Sequence, residues 1–351
     1  MVRPSTLPAL PLALLGGLAL PAKPAHQEAA QEPDDPDPPV RVEVHVESFV
    51  DLYYEVRSLA ASGELPPEDL RGAVEAAREL GRQLGSALAW GVVDGHLHGC
   101  SNIHEVGRAF EDLPDELRVP APGGERVVAL RPLALEMVLP ILEAAPQWME
   151  SVWPEREGPL EEAAQRLRDT LVAKEAAVYA DLALAFGMQP EGLVAPIHVV
   201  TRTPPPGGFT FRARGGAGVS FVSVEQNPGT QLLEAALHES IHVLDIADGH
   251  GSEERGGSVL AELRAALRAA GVAATDPRYR DAPHTLYFLV AADLVRAHLD
   301  HGHEDYGDVA GYYAKVPEVI AVERPLWKRY RSGDISAGEL VEGIVGGLTG
   351  K

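Results

Sequence analysis

Two histidines and a glutamate form the pattern in this chain that is most capable of chemistry. They belong to the motif His238-Glu239-Ser240-Ile241-His242, inside a stretch from about 230 to 248 whose apolar spacing predicts a helix. Residues four apart share one face of a helix, so His238 and His242 can direct two imidazole nitrogens at one zinc ion. Glu239 lies about 100° further around the helix, beside such an ion, where it can accept a proton from water.

The elements that must position this motif are strands before it and helices after it. Alternating or β-branched residues predict a small sheet from strands over 197–201, 209–212 and 218–224. Asp248-Gly249 predicts the end of the motif helix. Ser258 and Asp281 are predicted to cap two later helices, which run to about 270 and 298.

The rest of the chain divides by composition. Helical spacing predominates over 41–190, apart from weak alternation at 40–46, and predicts a mostly helical accessory region. The region over 191–351 then carries the small β-sheet and the motif helix. The sequence therefore predicts an α+β fold with a mostly helical first half.

The first 40 residues differ from both regions. Arg3, an uncharged leucine-rich run and a small-residue stretch predict a signal peptide over 1–25, followed by an acidic, proline-rich linker over 26–40. We therefore expect a secreted or periplasmic protein with no membrane insertion after the signal is removed.

The motif and its surroundings resemble the zincin metallopeptidases, in which a small sheet covers an active-site helix carrying H-E-x-x-H. The resemblance rests mainly on residues 197–300. It implies one Zn²⁺ per chain, held by His238 and His242, with Glu239 as the general base. The third zinc ligand differs between zincin groups, so the resemblance does not fix it.

Three residues are candidates for the third zinc ligand. Asp248 lies six residues after His242, but the glycine and the methionine turn that accompany this spacing in metzincins are missing. Glu262 lies 20 residues after His242, as in thermolysin-like zincins, without the fuller motif of that group. His284 opens an apolar stretch similar to the downstream histidine helix of uncharacterised secreted bacterial zincin-like proteins. We choose His284.

Other residues have supporting roles in this hypothesis. Asp245, one turn after His242, can accept the other ring N–H of that ligand or can be a solvated helix residue. The strand over 219–224 can pair with an extended peptide. Three tyrosines are candidates for stabilising an oxyanion, although ordinary packing is the more usual role for each of them: Tyr306, Tyr312 and Tyr313.

Two further histidine groups compete with this site. Asp94-Gly95-His96-Leu97-His98 resembles the first metal motif of amidohydrolases, but the alternating strands and helices of that family do not follow it. The group His298, His301 and His303 is typical of a solvated loop that binds metal only adventitiously. Cys100 is the only cysteine, so no intrachain disulfide can form.

Charge limits the class of partner. The net charge is −22, and removal of residues 1–25 takes away two basic residues and no acidic one, giving −24. Such a surface repels nucleic acid and anionic lipid. We therefore predict an exported, zinc-dependent hydrolase, most simply a metallopeptidase acting on a peptide or protein. The alternative is a non-enzymatic binding or scaffold protein on the same fold, with structural or absent zinc.

Overall fold

The α+β class predicted from the sequence is confirmed by the computed structural model, which is 65% helical with a small sheet. The structure describes residues 40–350 except 86, 98–99, 101–102, 122–123, 189–191, 214–215 and 248–257. The predicted signal peptide over 1–25, almost all of the linker over 26–40, and Asp248 lie outside the described residues.

The first half of the described chain is mostly helical, as predicted. It also contains one strand of a four-stranded sheet and a separate two-stranded antiparallel sheet. Its elements are β1 (Val40–His45), α1 (Ser48–Ser62), α2 (Arg71–Leu84), α3 (Ala87–Asp94), α4 (Ile103–Glu111), β2 (Leu117–Ala121), β3 (Gly124–Val128), α5 (Leu130–Ser151), α6 (Trp153–Thr170) and α7 (Glu175–Phe186).

The second half begins with three strands and continues with helices. Its elements are β4 (Leu193–Val200), β5 (Gly208–Arg212), β6 (Gly218–Ser223), α8 (Gln231–Ala247), α9 (Val259–Ala269), α10 (Pro277–Leu294), a π-helical turn (Val295–Leu299), α11 (Tyr306–Val309), α12 (Pro317–Arg331) and α13 (Ala337–Thr349).

Strands from both halves form one four-stranded sheet in the order β1-β4-β6-β5. The β1, β4 and β6 strands are parallel, whereas β5 is antiparallel to β6. Because β6 has a strand on each side, the prediction that residues 219–224 accept an extended peptide is wrong. The strand at that end of the sheet is β5.

Helix α8, which carries the motif, packs on β4, β5 and β6. It is buried over Gln231–Ile241, and only a few positions in its last turns are partly exposed. Gly218 on β6 makes this close packing possible, because a Cβ at that position would be 2.8 Å from the Cα of Val243. The sheet therefore fixes the depth and the orientation of the motif helix.

Helix α10 begins earlier than the sequence analysis predicts. Its N-cap is Asp276, whose side chain accepts a hydrogen bond from Arg278 N–H, and Pro277 occupies the first helical position. The predicted cap at Asp281 is therefore wrong, because an aspartate followed by proline is the stronger start signal. His284 accordingly lies inside α10 and not in its first turn. The predicted cap at Ser258 on α9 is confirmed.

The described residues form one compact unit with a shared core. The predicted boundary near residue 190 falls between α7 and β4, inside this unit. Within the described ranges, none of the helices is long and apolar enough to cross a bilayer.

Helix α12 packs against α10 and carries a buried acid, Glu323. Neither carboxyl oxygen of Glu323 has a hydrogen-bond partner among the described residues. Burial raises the pKa of Glu323 well above its ordinary value of 4.5. Burial therefore favours the neutral form of this carboxyl in the folded protein.

This acid makes stability depend on pH. Because the pKa is raised in the folded state, the unfolded state loses this proton first, and stability falls as pH rises above about 4.5. We expect Glu323→Gln to remove this decline, which can reach about 1.4 kcal/mol per pH unit. The free energy of unfolding at pH 5 and pH 8 measures it. Glu318→Gln, at an exposed position of the same helix, is the control; equal pH slopes in both variants would contradict the assignment.

Candidate metal centre

The two histidines of the motif lie one turn apart on α8 and face the same point. His238 Nε2 and His242 Nε2 are 3.2 Å apart, and the two rings meet nearly edge to face at a centroid distance of 5.0 Å. His238 is buried, and His242 is partly exposed. The helix alone brings these two nitrogens together, as the four-residue spacing predicts.

His284 reaches the same point from α10. Its Nε2 lies 3.1 Å from His238 Nε2, although the two residues are 46 positions apart in the chain. One ring nitrogen from each of the three histidines lies within 4.8 Å of the other two. The structure therefore brings together all three residues that the sequence analysis selects as ligands.

Two of the three nitrogen–nitrogen separations can be compared with those of a tetrahedral zinc site. Zinc binds imidazole nitrogen at about 2.0–2.1 Å, so two ligands of a tetrahedral site lie roughly 3.3–3.4 Å apart. The separations of 3.1 and 3.2 Å are close to that value. Burial lowers the pKa of His284 to about 4 and that of His238 well below 6.5, which favours the neutral ring, the form that binds a metal ion.

Different contacts orient the three rings. The Nδ1 of His284 lies 3.1 Å from the hydroxyl of Tyr312. The Nδ1 of His238 is buried with no hydrogen-bond partner among the described residues, and its ring packs against Phe288 at a centroid distance of 3.9 Å. Tyr287 contacts His242 edge to face at 4.7 Å. Aromatic packing therefore orients the ring of His238, whereas a hydrogen bond orients the ring of His284.

Glu239 lies next to β5. The hydroxyl of Thr210 is 2.7 Å from Glu239 Oε2, and a Cβ at Gly208 would be 2.7 Å from Glu239 Oε1. Burial raises the pKa of Glu239 to about 8, and the hydrogen bond from Thr210 opposes this rise. A cation at the neighbouring histidines would favour the ionised carboxylate.

Asp245 is buried in a network that the sequence analysis does not foresee. Its two carboxylate oxygens each accept a hydrogen bond of 2.8 Å from the guanidinium of Arg264, and Tyr287 donates a further bond to it. Asp245 is therefore not a solvated helix residue. The predicted bond from His242 to Asp245 stays a prediction.

The other candidate ligands are placed differently. Glu262 is exposed on α9 and does not belong to the histidine group. Asp248 lies outside the described residues. Among the tyrosines, Tyr312 contacts His284, and Tyr313 is 3.3 Å from Asp305. Tyr306 donates a hydrogen bond to the carbonyl of Pro206, and its pKa is raised by burial and by the charge of Glu239.

The described residues of the group Asp94-Gly95-His96-Leu97-His98 lie at the end of α3 and in the turn after it. Asp94 ends helix α3 and not a strand, and Tyr53 and Arg57 both bond to its buried carboxylate, so the amidohydrolase interpretation is wrong. His98 lies outside the described residues, and His96 Nδ1 is 2.7 Å from the carbonyl of Val92.

One histidine of the predicted solvated loop is buried. His303 lies 2.5 Å from Glu234 on α8, one turn before His238, and Glu234 also accepts the N–H of Tyr306. His298 pairs with Asp181, and His301 is exposed. The prediction of a solvated loop is therefore wrong for His303.

Comparisons with known proteins leave the site to be interpreted from its own geometry: no protein-family model, curated protein or solved structure matches this chain.

Proposed function

We propose that this chain is an exported zinc-dependent hydrolase of the zincin type, acting on peptides or proteins. The observation that carries the proposal is the convergence of His238 and His242 from α8 with His284 from α10, together with the buried carboxyl of Glu239, which follows His238 on α8. The cluster has three histidines among the described residues, and three protein ligands are typical of catalytic zinc sites, whereas structural sites use four. This favours catalysis over a scaffold role.

Each residue of the site would have a separate role in hydrolysis. The three imidazoles hold the metal, and a bound zinc ion would supply Lewis acidity and lower the pKa of water. Glu239 accepts the proton of the attacking water and later delivers it to the leaving amine. Thr210 keeps the Glu239 carboxylate in one orientation through its 2.7 Å hydrogen bond.

The edge of β5 offers a way to bind an extended substrate. Ser223 N–H donates to Gly207 O and Ala213 N–H donates to Ala217 O, so the odd-numbered residues of β5 bond to β6. The backbone N–H and C=O groups of Gly208 and Thr210 therefore point away from β6, while the side-chain positions of the same two residues approach Glu239. We propose that a peptide pairs with these groups as an added strand.

Tyr306 is the tyrosine that we assign to the substrate. It lies within the electrostatic reach of Glu239 and is tied to Pro206, two residues before β5. Its hydroxyl would leave the Pro206 carbonyl to donate to the developing oxyanion. Tyr312 is committed to His284 instead.

The ligand assignment makes a prediction about metal content. We expect the purified chain to bind about one zinc ion, and we expect His284→Ala to lose most of it because two ligands bind zinc more weakly than three. Glu262→Ala and the exposed control His301→Ala should keep their zinc. Elemental analysis after dialysis measures this, and full zinc in His284→Ala would exclude the proposed site.

The general base makes a prediction about activity. Glu239→Gln removes the proton acceptor but keeps the size of the side chain, so we expect hydrolysis of a quenched-fluorescent peptide library to fall at least about 100-fold. Zinc content should stay at the wild-type value. Glu225→Gln, an exposed change of the same kind, is the control. Unchanged hydrolysis in Glu239→Gln would refute the base, and an inactive wild type with full zinc would favour the scaffold alternative.

The close approach of β5 makes a prediction about orientation. Gly208→Ala places a methyl group 2.7 Å from Glu239 Oε1, so the carboxylate must move. We expect hydrolysis to fall about 10- to 100-fold with zinc retained, since a shift near 1 Å has effects of this size. Gly72→Ala is the control, because a Cβ there meets no atom within 4 Å. Equal activity of the two variants would argue against the role of β5.

A further inference from the structure

We propose that Asp245, Arg264 and Tyr287, here called the Asp–Arg–Tyr cluster, are positioning residues that hold the three histidines in place for the metal. The inference rests on the proposed metal site and deepens it. It concerns residues that would not touch the metal themselves and that belong to three different helices, α8, α9 and α10.

The hydrogen bonds of the cluster close a ring between these helices. Arg264 donates from both terminal nitrogens to the two oxygens of Asp245, each at 2.8 Å, and also to the hydroxyl of Tyr287 at 2.7 Å. Tyr287 donates its own proton to Asp245 Oδ2 at 2.8 Å. A two-pronged bond of this kind fixes direction as well as distance.

The cluster is placed symmetrically with respect to the ligands. Asp245 lies three residues after His242 on α8, and Tyr287 lies three residues after His284 on α10. On a helix this spacing puts the members of each pair on the same face, one turn apart. The hydrogen bond between Asp245 and Tyr287 therefore fixes the position of α8 relative to α10 one turn away from the ligands.

Tyr287 also contacts the imidazole rings. Its ring centroid is 4.7 Å from that of His242, 5.9 Å from that of His284 and 6.0 Å from that of His238, with interplanar angles of 70–87°. These are edge-to-face contacts with all three rings. Arg264 and Asp245 hold the hydroxyl of Tyr287 in place. The Tyr287 ring therefore has a fixed position and restricts the orientation of the three imidazole rings that pack against it.

The Asp–Arg–Tyr cluster is buried, so breaking its hydrogen bonds costs free energy. The exposed fractions of Asp245, Arg264 and Tyr287 are 3%, 7% and 2%. Removal of one partner from a buried ion pair leaves the other charge without compensation, and the local structure must rearrange. A change at Arg264 would therefore move the ligand helices even though Arg264 is remote from the metal.

The test measures metal binding by the full chain, with Tyr287→Phe, Arg264→Lys and Arg264→Met. We expect the zinc dissociation constant, from competition with a chelator, to rise about 10- to 100-fold for Tyr287→Phe and Arg264→Met. Arg264→Lys should recover part of the affinity because it keeps the charge without the two-pronged bond. With Co²⁺ as the probe, the visible absorption band should change in shape, which a loss of overall stability alone would not cause.

The chain contains a matched control pair. Arg268 donates to the hydroxyl of Tyr279 at 2.7 Å, so it also joins α9 to α10, but at an exposed position. Arg268→Met and Tyr279→Phe should leave zinc affinity and the Co²⁺ spectrum unchanged. Circular dichroism establishes that each variant is folded, and Tyr287→Phe, which loses a single oxygen, keeps the test informative if Arg264→Met does not fold.

The outcomes separate this inference from the proposed function. A wild-type chain that binds neither Zn²⁺ nor Co²⁺ would overturn the proposed metal site itself. If the wild type binds metal and folded Tyr287→Phe and Arg264→Met bind within about twofold of it, only the positioning role is refuted. Weaker binding confined to the cluster variants, with an altered Co²⁺ spectrum, supports it.

Discussion

The contact between α8 and α10 is the constraint on which the rest of the structure depends. It brings nitrogens from His238 and His284 to 3.1 Å although they are 46 residues apart. Three imidazoles face one another there in a largely buried space, and burial of polar ring nitrogens costs free energy unless they have a hydrogen-bond or metal partner. The sheet packs against one side of α8, and α12 packs against α10. These contacts restrict movement of the two ligand helices away from each other.

Local physics explains the part of the site that could be predicted from the sequence. His238 and His242 converge because a helix places residues four apart together, and this requires no knowledge of distant contacts. The strands before the motif and the Ser258 cap were predictable for the same reason, since alternation and capping residues act over a few positions. The selection of His284 depended on a resemblance and on the apolar character of its surroundings.

Contacts between distant segments explain what the sequence could not predict. Strands β5 and β6 have similar local patterns, and only the strand order shows that β5 lies at the edge. The partners of Glu234 and Asp245 are 69 and 19 residues away, so nothing near either acid reveals them. The start of α10 was missed for another reason, because two aspartates competed as caps and the proline after Asp276 decided between them.

The parallel pairing of β1 with β4 has a consequence for the order of folding. Val40 pairs with Leu193, so a long stretch of chain must emerge before the first strand finds its neighbour. Contacts between such distant residues slow folding, because the entropy of closing the loop is lost before the contacts are gained. We therefore expect the β1–β4 pairing to form late, after the local β5–β6 pair and the helices between β1 and β4.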